Sequence, residues 1–186
     1  MTTPSETTQV GIVGGGPAGL MLSHLLARAG IDNIVLETRD HETIKNTHRA
    51  GILETGAVEM LTDYGVDSRI KDIGYEHHGI DLRFNGESHR INFKELIDAS
   101  VWLYPQNEVF VDLAAARARD GGDVRYEHTV TGIEDAESDQ PKIRYTDAEG
   151  NEGVIQTSII VGTDGSRSFC RRAIPSETRQ EHKIEY

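Results

Sequence analysis

The sequence predicts an α/β fold, and three observations along its 186 residues point to that class. A glycine-rich turn at residues 14–19 stands between a short apolar run and a segment whose leucines recur at helical spacing. A second apolar run at residues 33–37 completes a strand–helix–strand unit. Alternating apolar residues on both sides of Asn85-Gly86 predict an antiparallel hairpin, because this two-residue turn needs positive φ at both central residues.

The first elements follow from residue type and period. Residues 1–8 are polar and predict a loose tail. Residues 10–13 are apolar and rich in β-branched side chains, which is typical of a buried strand. The helical spacing over residues 20–29 ends at Gly30, a residue that commonly terminates a helix.

The middle of the chain changes from helical to alternating character. Residues 38–46 lack a period and predict a loop that can hold a short helix. Helical spacing over residues 53–64 predicts a further helix, which ends at Gly65. The two arms of the predicted hairpin lie at residues 80–84 and 91–93, where apolar and polar residues alternate. Such a hairpin inside an α/β chain suggests an inserted, sheet-like lobe.

The last third returns to helix and then to strands. Residues 106–120 have helical spacing and end at a glycine pair. Residues 124–133 and 143–145 alternate and predict strands, and residues 154–155 resume the sheet. Residues 159–162 predict a buried strand that runs directly into an Asp-Gly turn.

Composition excludes several function classes. The chain carries 19 basic and 31 acidic residues, a net charge of −12, which argues against a nucleic-acid-binding surface. A single cysteine, Cys170, excludes an internal disulfide framework. The start lacks a signal-peptide pattern, and no apolar run approaches the roughly 20 residues that cross a bilayer. We therefore expect a cytoplasmic protein without membrane or nucleic-acid partners, and without a metal site, because no HExxH or CxxC pattern is present.

The glycine-rich turn has the pattern of a dinucleotide-binding loop. Gly14 permits the tight turn, Gly16 lets the backbone approach a pyrophosphate, and Gly19 lets the helix pack closely on the strand. Pro17 suits the first helical turn because its missing N–H would be unpaired there. The start of the helix, which also contains Ala18, presents unpaired N–H groups and a partial positive charge of about half a unit to phosphates. A plain glycine-rich turn in an α/β protein is the alternative.

Two carboxylates follow predicted strands. Glu37 closes the second strand, where it can accept hydrogen bonds from both hydroxyls of an adenosine ribose and disfavour a 2′-phosphate. Asp164 follows the last strand, where it can bind a ribityl hydroxyl, and Gly165 lets the backbone approach a cofactor. A simple turn is the alternative for Asp164-Gly165. In the same chain as the glycine-rich turn, this second strand end favours FAD over NAD.

These segments resemble the class A FAD-dependent aromatic hydroxylases. The resemblance rests on the glycine-rich turn and Glu37, with two further stretches, Arg49-Ala50-Gly51-Ile52-Leu53-Glu54 and Gly162-Thr163-Asp164-Gly165. Residues 30–33 and Tyr104-Pro105-Gln106-Asn107-Glu108-Val109 narrow it to the hydroxybenzoate group of that family. The resemblance runs over residues 9–175. It implies a Rossmann-like FAD-binding domain of the glutathione-reductase type with an inserted β-rich substrate lobe.

The resemblance also implies residue roles. Glu37 matches the ligand of the adenosine ribose, and Asp164 matches a carboxylate near the ribityl chain and pyrophosphate. Arg49 matches an arginine near the flavin pyrophosphate, although a surface cation is the alternative, and Gln106 matches a glutamine on the cofactor. No residue receives a catalytic role, because the family's phenol-binding residues lie further along.

The sequence departs from the family pattern at positions that are linked to the preference for NADPH or NADH. Thr47 stands where the family often has a second arginine. Thr38 and Thr43 stand where NADPH-preferring members carry basic and aromatic residues. The resemblance therefore implies NADPH or NADH as a transient co-substrate, with Arg167 in place to touch its nucleotide.

The family pattern also predicts organisation and activity. We expect residues 9–75 and 104–175 to form a discontinuous FAD-binding domain, with residues 76–103 as part of the substrate lobe. Residues 176–186 would begin a further segment of a truncated chain. The implied activity is hydroxylation of a small aromatic substrate, a phenolic acid, by O₂. For the hydroxybenzoate group this is 4-hydroxybenzoate to 3,4-dihydroxybenzoate, in a homodimer.

Two other functions are also compatible with the sequence. One is an NAD-dependent dehydrogenase with a single Rossmann domain, which a flavin spectrum of the pure protein would exclude. The other is an inactive, truncated fragment that binds flavin without hydroxylating anything.

Overall fold

The structure is a computed structural model that describes residues 5–66, 68–166, 168–180 and 182. Arg167, to which the family pattern assigns a nicotinamide contact, lies outside the described residues. In chain order the elements are β1 (Ser5–Val13), α1 (Pro17–Arg28), β2 (Asn33–Leu36), α2 (His41–Lys45), β3 (Ile52–Glu54), α3 (Thr55–Asp63), α4 (Ile70–Ile73), β4 (Tyr75–His77), β5 (Gly79–Phe84), β6 (Glu87–Asn92), α5 (Phe93–Ile97), β7 (Val101–Leu103), α6 (Gln106–Arg119), β8 (Asp123–Arg125), β9 (Thr129–Glu134), β10 (Lys142–Thr146), β11 (Glu152–Gly162) and a 3₁₀ helix (Cys170–Ala173).

The chain divides into two units. The first unit combines Met1–His41 with Gly121–Tyr186, and the second is Glu42–Asp120. The second unit therefore contains the predicted lobe and also residues 42–75 and 104–120, which the sequence assigned to the FAD-binding domain. The ligand that each segment binds stays a prediction.

The first unit is built on a six-stranded sheet in the order β8-β2-β1-β11-β10-β9. The first four of these strands are parallel, and β10 pairs antiparallel with both β11 and β9. Helix α1 connects the neighbouring parallel strands β1 and β2. This arrangement confirms the predicted α/β class and its strand–helix–strand unit.

Apolar side chains cover both faces of this sheet, because successive residues of a strand point to opposite sides. One buried cluster contains Val10, Ile12 and Val35, against which Leu22 and Leu26 of α1 pack. The other contains Val13, Ile34, Leu36, Val130, Ile143, Tyr145 and Ile155. The alternation places the end of β1 and the start of α1 above a packed core, so the glycine-rich turn has a rigid base.

Strand β1 is longer than the sequence predicts. The loose tail predicted over residues 1–8 is wrong for residues 5–8, which pair in parallel register with residues 154–157 of β11. Polar side chains do not prevent this pairing, because the hydrogen bonds of a sheet join main-chain groups. Residues 1–4 lie outside the described part of the chain.

Two other strand predictions are corrected. The separate strands expected at residues 154–155 and 159–162 are one strand, β11, because β1 pairs along most of its length. The single strand expected at residues 124–133 is wrong. The chain turns at Glu127, with φ of 57°, and the two halves become β8 and β9 at opposite edges of the sheet.

The second unit contains a three-stranded antiparallel sheet, β3-β7-β4, and the β5–β6 hairpin. Asn85 and Gly86 have φ of 52° and 78°, which confirms the predicted two-residue turn. The helix predicted over residues 53–64 begins later, at Thr55, because the three residues before it pair with β7. The short helix allowed within residues 38–46 is α2. Among the described residues, no helix combines the length and apolarity that a bilayer crossing needs.

Candidate functional site

The turn between β1 and α1 closes tightly on the end of β11. Gly14 has φ of 107°, and a Cβ at this position would lie 2.6 Å from the carbonyl oxygen of Thr163. A Cβ at Gly19 would lie 1.9 Å from the Gly14 oxygen and 2.7 Å from Thr163 Oγ1. Both contacts are too short for any side chain, so these glycines are required by the fold itself. The structure thus joins the glycine-rich turn to the Gly162-Thr163-Asp164 segment.

Gly16 differs from its neighbours because a Cβ there would meet nothing within 4 Å. It is the N-cap of α1, no side chain caps the helix, and Pro17 follows at the start. The first turn, which includes Ala18, carries no acidic residue. The first amides of a helix lack partners within it and attract anions. The open space in front of Gly16 leaves these amides accessible to an anionic group.

Glu37 is buried, with 6% of the residue exposed, at the end of β2. Its Oε2 accepts a hydrogen bond of 2.8 Å from the Gly15 amide. Its Oε1 accepts bonds of 3.0 and 3.1 Å from the amide and Nε of Arg39. A carboxylate has about four lone-pair positions, so about one remains for a ribose hydroxyl. A second hydroxyl bond, as the sequence predicted, would have to displace Arg39.

Two neighbours of Glu37 are not predicted by the sequence. Gly15 is one, since a Cβ there would lie 2.8 Å from the Glu37 Cβ. Tyr126 is the other, and burial together with the charge of Glu37 raises its pKa to about 12. The Tyr126 ring meets the His41 ring edge to face, with centroids 5.4 Å apart. Neither contact is visible in the sequence, because Gly15 and Tyr126 come close to Glu37 only in the folded chain. Tyr126 directly follows β8, which pairs with β2.

Asp164 uses both oxygens to hold the segment that follows it. Ser168 Oγ donates to Oδ1 at 2.5 Å, and the amides of Phe169 and Cys170 donate to Oδ2 at 2.5 and 3.0 Å. Burial raises the pKa of Asp164, but these hydrogen bonds outweigh it and the net pKa is lowered. Gly165 has φ of 77°, a value that favours glycine, and faces open space. The geometry fits the turn alternative, and a ribityl contact of Asp164 stays a prediction.

Cys170 follows this turn and is half-buried. Burial and the charge of Asp164 raise the pKa of its thiol to about 12, so it is protonated at neutral pH. It lines an open groove of about 490 Å³ beside the 3₁₀ helix, together with Ile133, Ile160 and Ile174. None of the predicted cofactor residues lines this groove. The described residues contain no cluster of three or more His, Cys, Asp or Glu side chains arranged to hold a metal.

The second unit contains the other two predicted cofactor residues. Arg49 is exposed in the segment between α2 and β3, and Gln106 is the half-buried first residue of α6. Between them, the Tyr104 amide donates to the Gly51 oxygen at 3.1 Å. A Cβ at Gly51 would lie 2.0 Å from the Tyr104 oxygen and 2.7 Å from the Gln106 nitrogen. The structure therefore brings the Arg49 and Gln106 segments together within this unit.

Comparison with known proteins places this geometry in a family. The family model described as FAD binding domain matches residues 7–186. The chain is 36% identical over 171 residues to p-hydroxybenzoate hydroxylase of Acinetobacter baylyi, covering 91% of this chain and 42% of that protein. It is 27% identical to 3-(3-hydroxy-phenyl)propionate/3-hydroxycinnamic acid hydroxylase 1 of Burkholderia vietnamiensis, covering 96% of this chain and 30% of that protein.

A solved structure shows the same fold. The p-nitrophenol 4-monooxygenase PnpA of Pseudomonas putida is 25% identical and superposes with a TM-score of 0.79. The match covers 89% of this chain and 43% of that one. The chain thus spans less than half the length of each of these three proteins.

Proposed function

We propose, from the premise that this chain belongs to the family of FAD binding domains, that it serves a flavin-dependent aromatic monooxygenase. FAD is the cofactor of the family, so the earlier alternative of an NAD-dependent dehydrogenase is set aside. The observation that carries the proposal is the open space at Gly16, between two glycines that the fold itself requires. That arrangement admits a pyrophosphate and leaves the surrounding strand ends fixed.

In this proposal the residues of the first unit hold the adenosine diphosphate half of FAD. The amides at the start of α1 bind the pyrophosphate, with Gly14, Gly16 and Gly19 shaping the turn. Glu37 accepts a hydrogen bond from the adenosine ribose. Gly165 lets the backbone approach the cofactor, and Asp164 fixes that segment by holding its own turn.

The residues of the second unit that belong to the proposal are Arg49 and Gln106. The Arg49 guanidinium is a permanent cation that suits the negative charge of a pyrophosphate. The Gln106 side chain offers both a donor and an acceptor to the cofactor. When bound, FAD supplies the electron transfer from a nicotinamide donor and the oxygen chemistry that hydroxylates an aromatic ring.

The proposed substrate is a phenolic acid, 4-hydroxybenzoate, which would become 3,4-dihydroxybenzoate. Support comes from the 36% identity to a p-hydroxybenzoate hydroxylase. The names of the other relatives give different aromatic substrates, so the choice of 4-hydroxybenzoate rests on this one relative. NADPH or NADH would reduce the flavin as a transient co-substrate, in a cytoplasmic homodimer.

The test uses the purified 186-residue chain. Its flavin content and the Kd for added FAD are measured first, and then NADH and NADPH oxidation with and without 4-hydroxybenzoate. We expect one FAD per chain. Oxidation that depends on the phenolic acid is expected from a protein that also supplies the phenol-binding residues, which the family pattern places further along. A chain that takes up no FAD contradicts the proposed function. A chain that binds FAD but oxidises neither donor is the flavin-binding alternative without hydroxylation.

A further inference from the structure

A buried carboxylate organises the segment in front of Gln106. Asp112 lies in the second turn of α6 and is 4% exposed. Its two oxygens accept four hydrogen bonds, from the Tyr104 hydroxyl at 2.5 Å, Arg69 Nε at 2.7 Å, the Arg69 amide at 3.1 Å and Ser68 Oγ at 3.1 Å. Arg69 also bonds Glu108 at 2.6 Å. Asp112 thus joins α6 to the end of β7 and to the start of α4.

The groups of this network stabilise one another's protonation states. Burial and the hydrogen bond to Asp112 raise the pKa of Tyr104, so the phenol stays protonated and can only donate to the carboxylate. The hydrogen bond to Asp112 likewise raises the pKa of Arg69, which stays cationic. A buried carboxylate is tolerated when donors and a counter-charge surround it. Tyr104, which is fully buried, is therefore held against α6 by this hydrogen bond.

Tyr104 also connects the segments that contain Arg49 and Gln106, the two predicted cofactor residues of this unit. Its amide donates to Gly51, two residues beyond Arg49, and Gln106 follows two residues later in the chain. The contact at Gly51 is so close that no side chain fits between the segments. A displacement of Tyr104 would therefore move both Arg49 and Gln106.

We propose that Asp112, acting through the Tyr104 hydroxyl, is a positioning residue for the cofactor contacts of Arg49 and Gln106. The inference rests on the proposed function, which gives those two residues their place at FAD. It gives the hydrogen bond between Asp112 and Tyr104 a role in FAD affinity in addition to its contribution to stability.

Double-mutant cycles on FAD affinity test the inference. Tyr104→Phe removes only the hydroxyl and leaves Asp112 three donors. We expect it to weaken FAD binding about tenfold in the parent chain. In a Gln106→Ala or an Arg49→Ala background, the same change should weaken it only about threefold, because one of the two contacts that it positions is gone. A purely structural role would give the same loss in all three backgrounds, and that result overturns the inference.

Two further variants separate positioning from stability. Ser68→Ala deletes another donor to the same Asp112 oxygen without touching Tyr104, so it should lower the melting temperature but leave the FAD Kd unchanged. Tyr75→Phe removes the hydroxyl of an exposed tyrosine and should change neither. If Tyr104→Phe does not fold, Asp112→Asn takes its place in the same cycles.

The failures of the two proposals are distinguishable. A parent chain that does not bind FAD overturns the proposed function and this inference together. A parent that binds FAD, with Arg49→Ala and Gln106→Ala both weakening it but no coupling to Tyr104→Phe, overturns the positioning role alone.

Discussion

Glu37 and Asp164 both follow parallel strands and both accept three hydrogen bonds, yet their hydrogen-bond donors lie in different parts of the chain. One oxygen of Glu37 binds the Gly15 amide, 22 positions away in the chain. Asp164 binds residues four to six positions further on, all within its own turn. Glu37 therefore ties the end of β2 to the proposed pyrophosphate turn, whereas Asp164 shapes a local loop. Residue type and position at a strand end do not by themselves make a cofactor ligand.

The largest expected effect comes from a substitution in the tight contact between the glycine-rich turn and the end of β11. Gly19→Ala would place a methyl group 1.9 Å from the Gly14 oxygen, with Thr163 directly behind it. We expect a loss of about 3 kcal/mol in the free energy of unfolding, at the upper end of overpacking costs. Urea unfolding followed by circular dichroism measures it. Gly56→Ala, at an open helical position, is the matched control and should not destabilise.

The second effect concerns binding without loss of fold. Gly16→Val fills the open space at the start of α1, where the protein itself has no atom to clash with. We expect FAD affinity to fall about 100-fold, or about 2.8 kcal/mol, with only a small drop in melting temperature because valine is a poorer N-cap than glycine. Fluorescence titration of FAD gives the Kd, with Gly56→Val as the control. Unchanged affinity would remove the pyrophosphate from this turn.

The third effect compares the two carboxylates directly. Glu37→Gln keeps the side-chain shape but removes the charge that faces Gly15 and Arg39. We expect FAD binding to weaken about tenfold, because a hydrogen bond to a charged group contributes about 1.5–3 kcal/mol. Asp164→Asn should weaken it less than about threefold. Equal losses in the two variants would mean that Asp164 contacts the cofactor as Glu37 does.

The smallest effect is a pH dependence of stability at Asp164. Its folded pKa is lowered from the ordinary 3.8, so its contribution is present above that value and is lost as the pH falls through the folded pKa. Asp164→Asn should therefore cost about 1 kcal/mol at pH 6, with the difference shrinking as the pH falls below about 4. Urea midpoints of both chains at pH 6 and pH 3 measure it. A constant difference would rule out the charged form as the stabilising one.

Features encoded locally could be predicted from the sequence. The glycine-rich turn, the hairpin at Asn85-Gly86 and helix α6 each follow from neighbouring residues that need a particular φ or period. The position of Glu37 at a strand end follows in the same way. The location of the site residues at strand and helix ends was accordingly predictable, and their contact with FAD remains to be tested.

Features that depend on distant partners could not be predicted. Residues 5–8 are polar, and only their pairing with β11 makes them a strand. Asp112 has the appearance of a solvent-exposed charge in a helix, and only folding brings Tyr104 and Arg69 to it. The same holds for Tyr126 beside Glu37. Through-space contacts of this kind leave no period or motif in the sequence.

The length of β1 has a practical consequence for anyone who expresses this protein. Trimming the polar beginning up to Gln9, as its composition invites, would remove the β1 side of the pairing at residues 154–157 of β11 and would remove Glu6 from its 2.6 Å ion pair with Arg125. The bared main-chain groups would form a ready template for intermolecular pairing. Residues 5–8 should therefore be kept when an affinity tag is added, and insolubility of a version without them would reflect lost sheet pairing.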